Sequence, residues 1–106
     1  MSWEDHHRRS DIVHTVLERA TLDPHDPDLF SGIPDLDRLF GGPTGLLLTL
    51  RHRWNNHLAA KLDQALAQGQ SDTEAYLELR AEQPALHALL DAQYGHRDST
   101  VAAMAR

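Results

Sequence analysis

The sequence predicts an all-α fold, a small antiparallel bundle of four to five helices around one long central helix. The main observation is a stretch from Thr44 to Gln68, bracketed by Gly41-Gly42-Pro43 and Gly69, in which apolar residues recur every three or four positions. No segment shows the alternation of apolar and polar residues that is typical of a strand. The apolar stripe of this central helix is expected to form the core. It consists of Leu47, Leu50, Trp54, Leu58, Leu62 and Ala65.

The first helix is expected to begin after Ser2, whose hydroxyl is a good N-cap, with Glu4 and Asp5 in the first turn. It ends before Asp23-Pro24, because proline cannot continue a helix. Its buried face is expected to comprise Ile12, Val13, Val16, Leu17 and Ala20.

The segment between the first and central helices holds four of the five prolines, so it cannot be a single helix. We predict a linker over residues 22–28 and then a short helix from Pro34 to Phe40, with Pro34 in its first turn and Gly41 as its terminator. The segment is half apolar, which indicates that it packs on the core.

After the central helix, Ser71-Asp72-Thr73-Glu74 forms a capping box that predicts the start of the next helix. Pro84 then either starts a new helix or kinks this one. Gly95 is well placed as a C-terminal cap, so we expect a single helical domain over residues 1–95. Residues 96–106 are expected to form a tail that is frayed or a short helix.

The composition limits the classes of protein. A chain of 106 residues is about one domain with one core. It has no cysteine, which excludes disulfides and thiolate metal sites and suits a reducing, cytoplasmic location. From the sequence we expect neither a signal peptide nor a membrane-spanning segment, and the Ala-, Leu-, Arg- and Asp-rich composition suggests a bacterial protein.

The charge is unevenly distributed along the chain. The formal net charge of -6 argues against general binding to nucleic acid or anionic membrane. Residues 44–70, however, carry three basic residues against one acidic residue, so the central helix is the only basic segment. Full protonation of the eight histidines would move the net charge from -6 to +2. Properties that depend on the net charge should therefore change steeply below neutral pH.

One ridge of the first helix carries potential metal ligands. His7, Asp11, His14 and Glu18 lie opposite the apolar stripe at spacings of four, three and four residues. Imidazoles and carboxylates suit zinc, nickel or iron, but one straight helix cannot surround an ion with four ligands. We therefore assign no metal and expect a solvated ridge with acid–histidine pairs.

The central helix and the last helix supply candidates for an interaction surface. Arg, Asn and Trp side chains in one turn are residue types that anchor interfaces or contact nucleic acid, although Trp54 is expected to be core. Apolar residues left at the margins of the buried faces, namely Leu46, Leu48, Ala59 and Leu66 of the central helix, predict self-association as a homodimer. The candidate interaction residues are Arg51, His52, Arg53, Asn56, Leu86, Leu90 and Tyr94.

One part of the chain resembles a known family. Leu39-Phe40-Gly41-Gly42-Pro43-Thr44-Gly45-Leu46-Leu47-Leu48, with Arg53-Trp54 after it, resembles the junction between the DNA-binding and ligand-binding helices of TetR-type repressors. The basic opening helix around Arg8-Arg9 is also similar to that family. The resemblance implies a nucleic-acid-binding regulator. Between Ala20 and Leu39, however, the sequence has an acidic, proline-rich linker where that family has a recognition helix, so no site residues are assigned from it.

No catalytic motif is present. The sequence lacks a Gly-x-Ser-x-Gly elbow and a glycine-rich phosphate loop, and the acids around Asp26 lack the glycine and distal glutamate of a calcium loop. The sequence therefore predicts a non-enzymatic accessory or regulatory module that acts through protein–protein contact, without a cofactor. A His/carboxylate metal-binding protein and a nucleic-acid-binding transcriptional regulator are the alternatives.

Overall fold

A computed structural model describes the backbone of residues 2–104 and the side chains of residues 2–94. Over this range the chain is all-α, as predicted, and contains no strand. The five helices are α1 (Trp3–Leu22), α2 (Leu36–Phe40), α3 (Pro43–Gln68), α4 (Asp72–Glu82) and α5 (Pro84–Met104).

Local capping chemistry sets several helix ends where the sequence predicts them. The Ser2 hydroxyl accepts a hydrogen bond from the Asp5 amide at 3.1 Å, and α1 ends at Leu22. At the start of α4 the Ser71 hydroxyl accepts from the Glu74 amide at 3.1 Å and donates to the Glu74 carboxylate at 3.2 Å. These ends follow from neighbouring residues alone, which is why they were predictable.

The linker between α1 and α2 packs onto the core through Leu29, Phe30 and Ile33, and an arginine of α1 holds its backbone. Leu29 is 1% exposed. The Arg19 guanidinium donates hydrogen bonds to the carbonyl oxygens of Asp28, Leu29 and Ser31 at 3.2, 3.2 and 2.8 Å. The guanidinium thus satisfies backbone groups that no helix or strand pairs, and it holds the linker against α1.

The short helix α2 begins two residues later than predicted, at Leu36 and not at Pro34. Asp35 adopts a left-handed conformation with φ of 68°, which prevents the helix from extending back to Pro34. Aspartate tolerates this conformation better than most residues, and here its carboxylate lies 3.6 Å from Arg8 and 3.2 Å from Arg38. Gly41 ends α2 in the left-handed conformation, as predicted.

The junction from α2 to α3 depends on a close backbone approach. A Cβ atom built on Gly45 would lie 1.5 Å from the Phe40 carbonyl oxygen, so only glycine fits at this position. Gly45 therefore lets the first turn of α3 pack directly against the end of α2.

The last two helices show whether Pro84 starts a new helix and where the last helix ends. Pro84 starts a new helix, since α4 ends at Glu82 and α5 begins at Pro84. The predicted helix end at Gly95 is wrong, because the backbone of α5 remains helical to Met104. Glycine inside a helix costs only about 1 kcal/mol, so its presence alone does not end one.

The core is one cluster built from all five helices and the linker. In it α1 packs on α5, and α3 packs on α2, α4 and α5. The burial predicted for α3 was correct for Leu50, Trp54 and Ala65. Leu47, Leu58 and Leu62 are only half-buried, while Leu46 is 0% exposed. The buried row therefore runs along Leu46, Leu50 and Trp54, an i, i+4 ridge that is inclined to the helix axis.

No described helix is both apolar enough and long enough to span a membrane.

Candidate interaction surface

The potential metal ligands on α1, to which no metal was assigned, are exposed and do not converge. His14 Nε2 lies 3.0 Å from the Glu18 carboxylate, while the His7 ring packs edge-on against Trp3 with 4.8 Å between centroids. Both histidines, Asp11 and Glu18 are exposed. Among residues 2–94, no group of three or more His, Asp or Glu side chains is arranged to hold an ion.

Two of the predicted interaction residues belong to the core. Leu86 and Leu90 are 2% and 7% exposed, so the expectation that they remain at the surface is wrong. The reason is that α5 is packed by α1 and α3 as well as by α4, which leaves these positions no free side. Tyr94 is half-buried, and the Arg51 guanidinium lies over its ring at 4.8 Å. This is a cation–π contact, in which the guanidinium charge lies over the face of the aromatic ring.

The other predicted residues lie on the surface of α3. His52, Arg53 and Asn56 are exposed, and Trp54 turns inward with 9% exposure. Helical geometry therefore separates the basic turn into a polar outer side and one buried aromatic. Arg53 lies more than a quarter-turn away from His52 around the helix, so the basic residues do not form one compact patch.

An aromatic cluster that the sequence did not predict lies where α3, α4 and α5 meet. The Tyr76 hydroxyl is 2.9 Å from His87 Nε2, and the Trp54 ring centroid lies 6.2 Å from that of Tyr76 and 5.6 Å from that of His87. Burial of the His87 ring, and then the positive charge of Arg80, lower the pKa of this imidazole. His87 shares a helix face with Leu90 and Tyr94, and that spacing was the signal that could have placed it inward.

Charged and polar residues join α3 to the C-terminal end of α4. Lys61 Nζ lies 2.7 Å from the Glu82 carboxylate and 3.6 Å from that of Glu78, and the Glu82 hydrogen bond raises the pKa of Lys61. His57 Nδ1 is 2.6 Å from Gln83 Nε2. These contacts engage the inner edge of α3 and leave the opposite side of that helix to solvent.

That opposite side is the surface with the clearest pattern. Leu48 and Leu66 are 57% and 83% exposed, although they are large apolar residues on the same helix. From Leu48 to Leu66, the residues on this side of the helix recur at spacings of four, three, four, three and four positions. We name this surface the open face of α3; it consists of Leu48, His52, Asn55, Ala59, Leu62 and Leu66.

Of the four predicted margin residues, Leu48, Ala59 and Leu66 are exposed, whereas the prediction for Leu46 is wrong because it is 0% exposed in the core. The continuous face was not predicted. Its regular spacing was visible in the sequence. Which side of α3 stays uncovered depends on where α2, α4 and α5 pack, and this could not be read from the central helix alone.

Neither a protein-family model, nor a curated protein, nor a solved structure matches the chain, so the resemblance to TetR-type repressors has no family match to support it.

Proposed function

We propose that the protein is a non-enzymatic accessory or regulatory module that acts by protein–protein contact and works as a homodimer. The observation that supports this proposal is the open face of α3, where Leu48 and Leu66 present apolar side chains to solvent. The cysteine-free sequence suits the cytoplasm as its compartment.

The distribution of exposed apolar residues supports this choice of surface. The other large apolar residues that are exposed among residues 2–94 are Trp3, Leu22 and Leu77, which lie singly on α1 and α4. Isolated exposed apolar residues are common and need no functional explanation, whereas several on one face favour an interaction site. Leu48, Ala59 and Leu66 share one face with the half-buried Leu62.

The charge of α3 also bears on the kind of contact. Arg53 and Lys61 lie away from the open face, and Lys61 is paired with Glu82. The third basic residue, Arg51, lies over the Tyr94 ring. Two copies can therefore bring their open faces together without opposing these cations directly. A homodimer is the commonest assembly in which one surface serves both partners.

The proposal is tested by comparing two double variants of matched chemistry. Leu48→Ser with Leu66→Ser removes apolar side chains from the open face, and Leu22→Ser with Leu77→Ser removes two exposed leucines elsewhere. Size-exclusion chromatography with light scattering at high micromolar concentration should give a dimer for the unaltered chain and the control, and a mass near 11.9 kDa for the first variant. Circular dichroism should show unchanged helix content in both.

A dimer that persists in the Leu48/Leu66 variant would exclude the open face. A monomer for the unaltered chain would exclude the homodimer itself.

A further inference from the structure

We propose that two copies of the chain pair along the open face of α3 with their α3 helices antiparallel, so that Leu48 of each copy meets Leu66 of the other. This inference rests on the proposed function, because it specifies the partner and the orientation of the homodimer. Three features of the open face support it, namely its spacing, its order of residues and its charge.

The spacing is that of a helix-pairing surface. Steps of four and three residues are the a and d positions of a heptad, which let one helix pack continuously against another. At 100° per residue the six positions stay within an arc of about 80°, so the face does not wind away from a partner. From Leu48 to Leu66 it spans 18 residue steps, or roughly 27 Å at 1.5 Å per residue, which a second α3 helix is long enough to cover.

The order of residues is self-complementary when one copy is reversed. With the two-fold axis beside residue 57, Leu48 faces Leu66 of the second copy, His52 faces Leu62, and Asn55 faces Ala59. The inner layers then combine a larger with a smaller or more polar side chain, and the outer layers pair two leucines, which fills the space between the helices. A parallel pair in register would place two His52 side chains in one layer and two small Ala59 side chains in another.

The polar residues beside the open face favour the same orientation. His52 and Asp63 are exposed on the same flank of the open face. In the antiparallel pair, His52 lies level with Leu62 of the second copy, so the neighbouring Asp63 carboxylate flanks the imidazole, and symmetry repeats this contact. In a parallel pair, His52 lies level with His52 of the second copy. Asp63 of that copy is then eleven residues away along the helix. Exposed pairs of this kind contribute modestly to affinity but select orientation.

Disulfide trapping tests the orientation directly, because the chain has no cysteine of its own. Leu48→Cys and Leu66→Cys chains, one carrying an isotopic mass label, are mixed and oxidised. We expect disulfides mainly between the two different chains, and few between identical chains. Leu22→Cys, at an 89% exposed position outside the face, gives the background from random collisions.

The outcomes separate this inference from the proposed function. Preferential disulfides between identical chains, in a protein that sediments as a dimer, would overturn the antiparallel pairing and leave the homodimer intact. Crosslinking at the Leu22→Cys background, in a protein that sediments as a monomer, would overturn both. Crosslinking at background in a dimer would show that copies meet through another surface.

A charge exchange provides an independent check. His52→Glu places a carboxylate beside Asp63 of the second copy, and we expect the dimer to weaken by roughly 2- to 30-fold over its two symmetric contacts. Adding Asp63→Lys should restore most of the affinity, measured as the dissociation constant in sedimentation. Failure of the second change to restore it would contradict the proposed neighbours, since a parallel pair gives Asp63→Lys no contact with position 52.

Discussion

At the scale of single residues, the Trp54, Tyr76 and His87 cluster joins three helices by contacts that the core leucines do not make. The Tyr76 hydroxyl and His87 Nε2 satisfy each other at 2.9 Å in a half-buried position, beside the Trp54 ring. A single hydrogen bond joins the phenol to the neutral imidazole. Protonation of His87 would place a positive charge in this position, near Arg80.

The lowered pKa of His87 gives stability a defined pH dependence. Because the folded-state pKa lies below the ordinary value of about 6.5, the unfolded chain binds more protons just beneath that pH. The contribution is therefore fully present above about pH 6.5 and is lost as the pH falls through the window between the unfolded and folded values. We expect His87→Gln to remove this loss. Urea midpoints at about pH 7.5 and 5.5 should fall more for the unaltered chain than for the variant.

Glutamine preserves a polar group for Tyr76, and the remaining histidines are common to both proteins. Equal losses of stability in the two proteins would show that protonation of His87 does not affect folding.

At the scale of elements, α3 is divided between a buried ridge and the open face. Leu50 is 0% exposed, whereas Leu58 is half-buried. We expect Leu50→Ala to cost about 2 to 5 kcal/mol of unfolding free energy, because it leaves a cavity that the surrounding helices cannot fill. Leu58→Ala should cost clearly less, since part of its side chain already contacts water. Chemical denaturation of both variants checks the order, and a larger loss at Leu58 would mean that α3 is rotated.

Helix ends differ in how far the sequence could place them. Ser2, Ser71 and Gly69 act on their own neighbours, so the ends they cap were predictable. The start of α2 depends on the left-handed Asp35, whose carboxylate is held by Arg8 from a distant helix, and no local pattern reports that contact. The helix end predicted at Gly95 is wrong for a different reason. A glycine lowers helix stability only slightly, so it does not by itself end a helix.

At the scale of the whole molecule, the number and type of helices could be predicted, but their packing could not. Amphipathic spacing shows that a helix has an apolar face, yet it does not show how many neighbours that helix has. Leu86 and Leu90 are buried because α5 is packed by α1, α3 and α4, whereas Leu48 and Leu66 are exposed because no described element covers their side of α3. The candidate surface thus emerged only once the helices were assembled.

Self-association of the unaltered chain of 106 residues is the central expectation for this molecule. Sedimentation equilibrium from low to high micromolar concentration measures it most directly. We expect the weight-average mass to rise from 11.9 kDa towards twice that value, along a single monomer–dimer isotherm. A mass that remains at 11.9 kDa at the highest concentration would contradict the assignment of the open face of α3 as a homodimer surface.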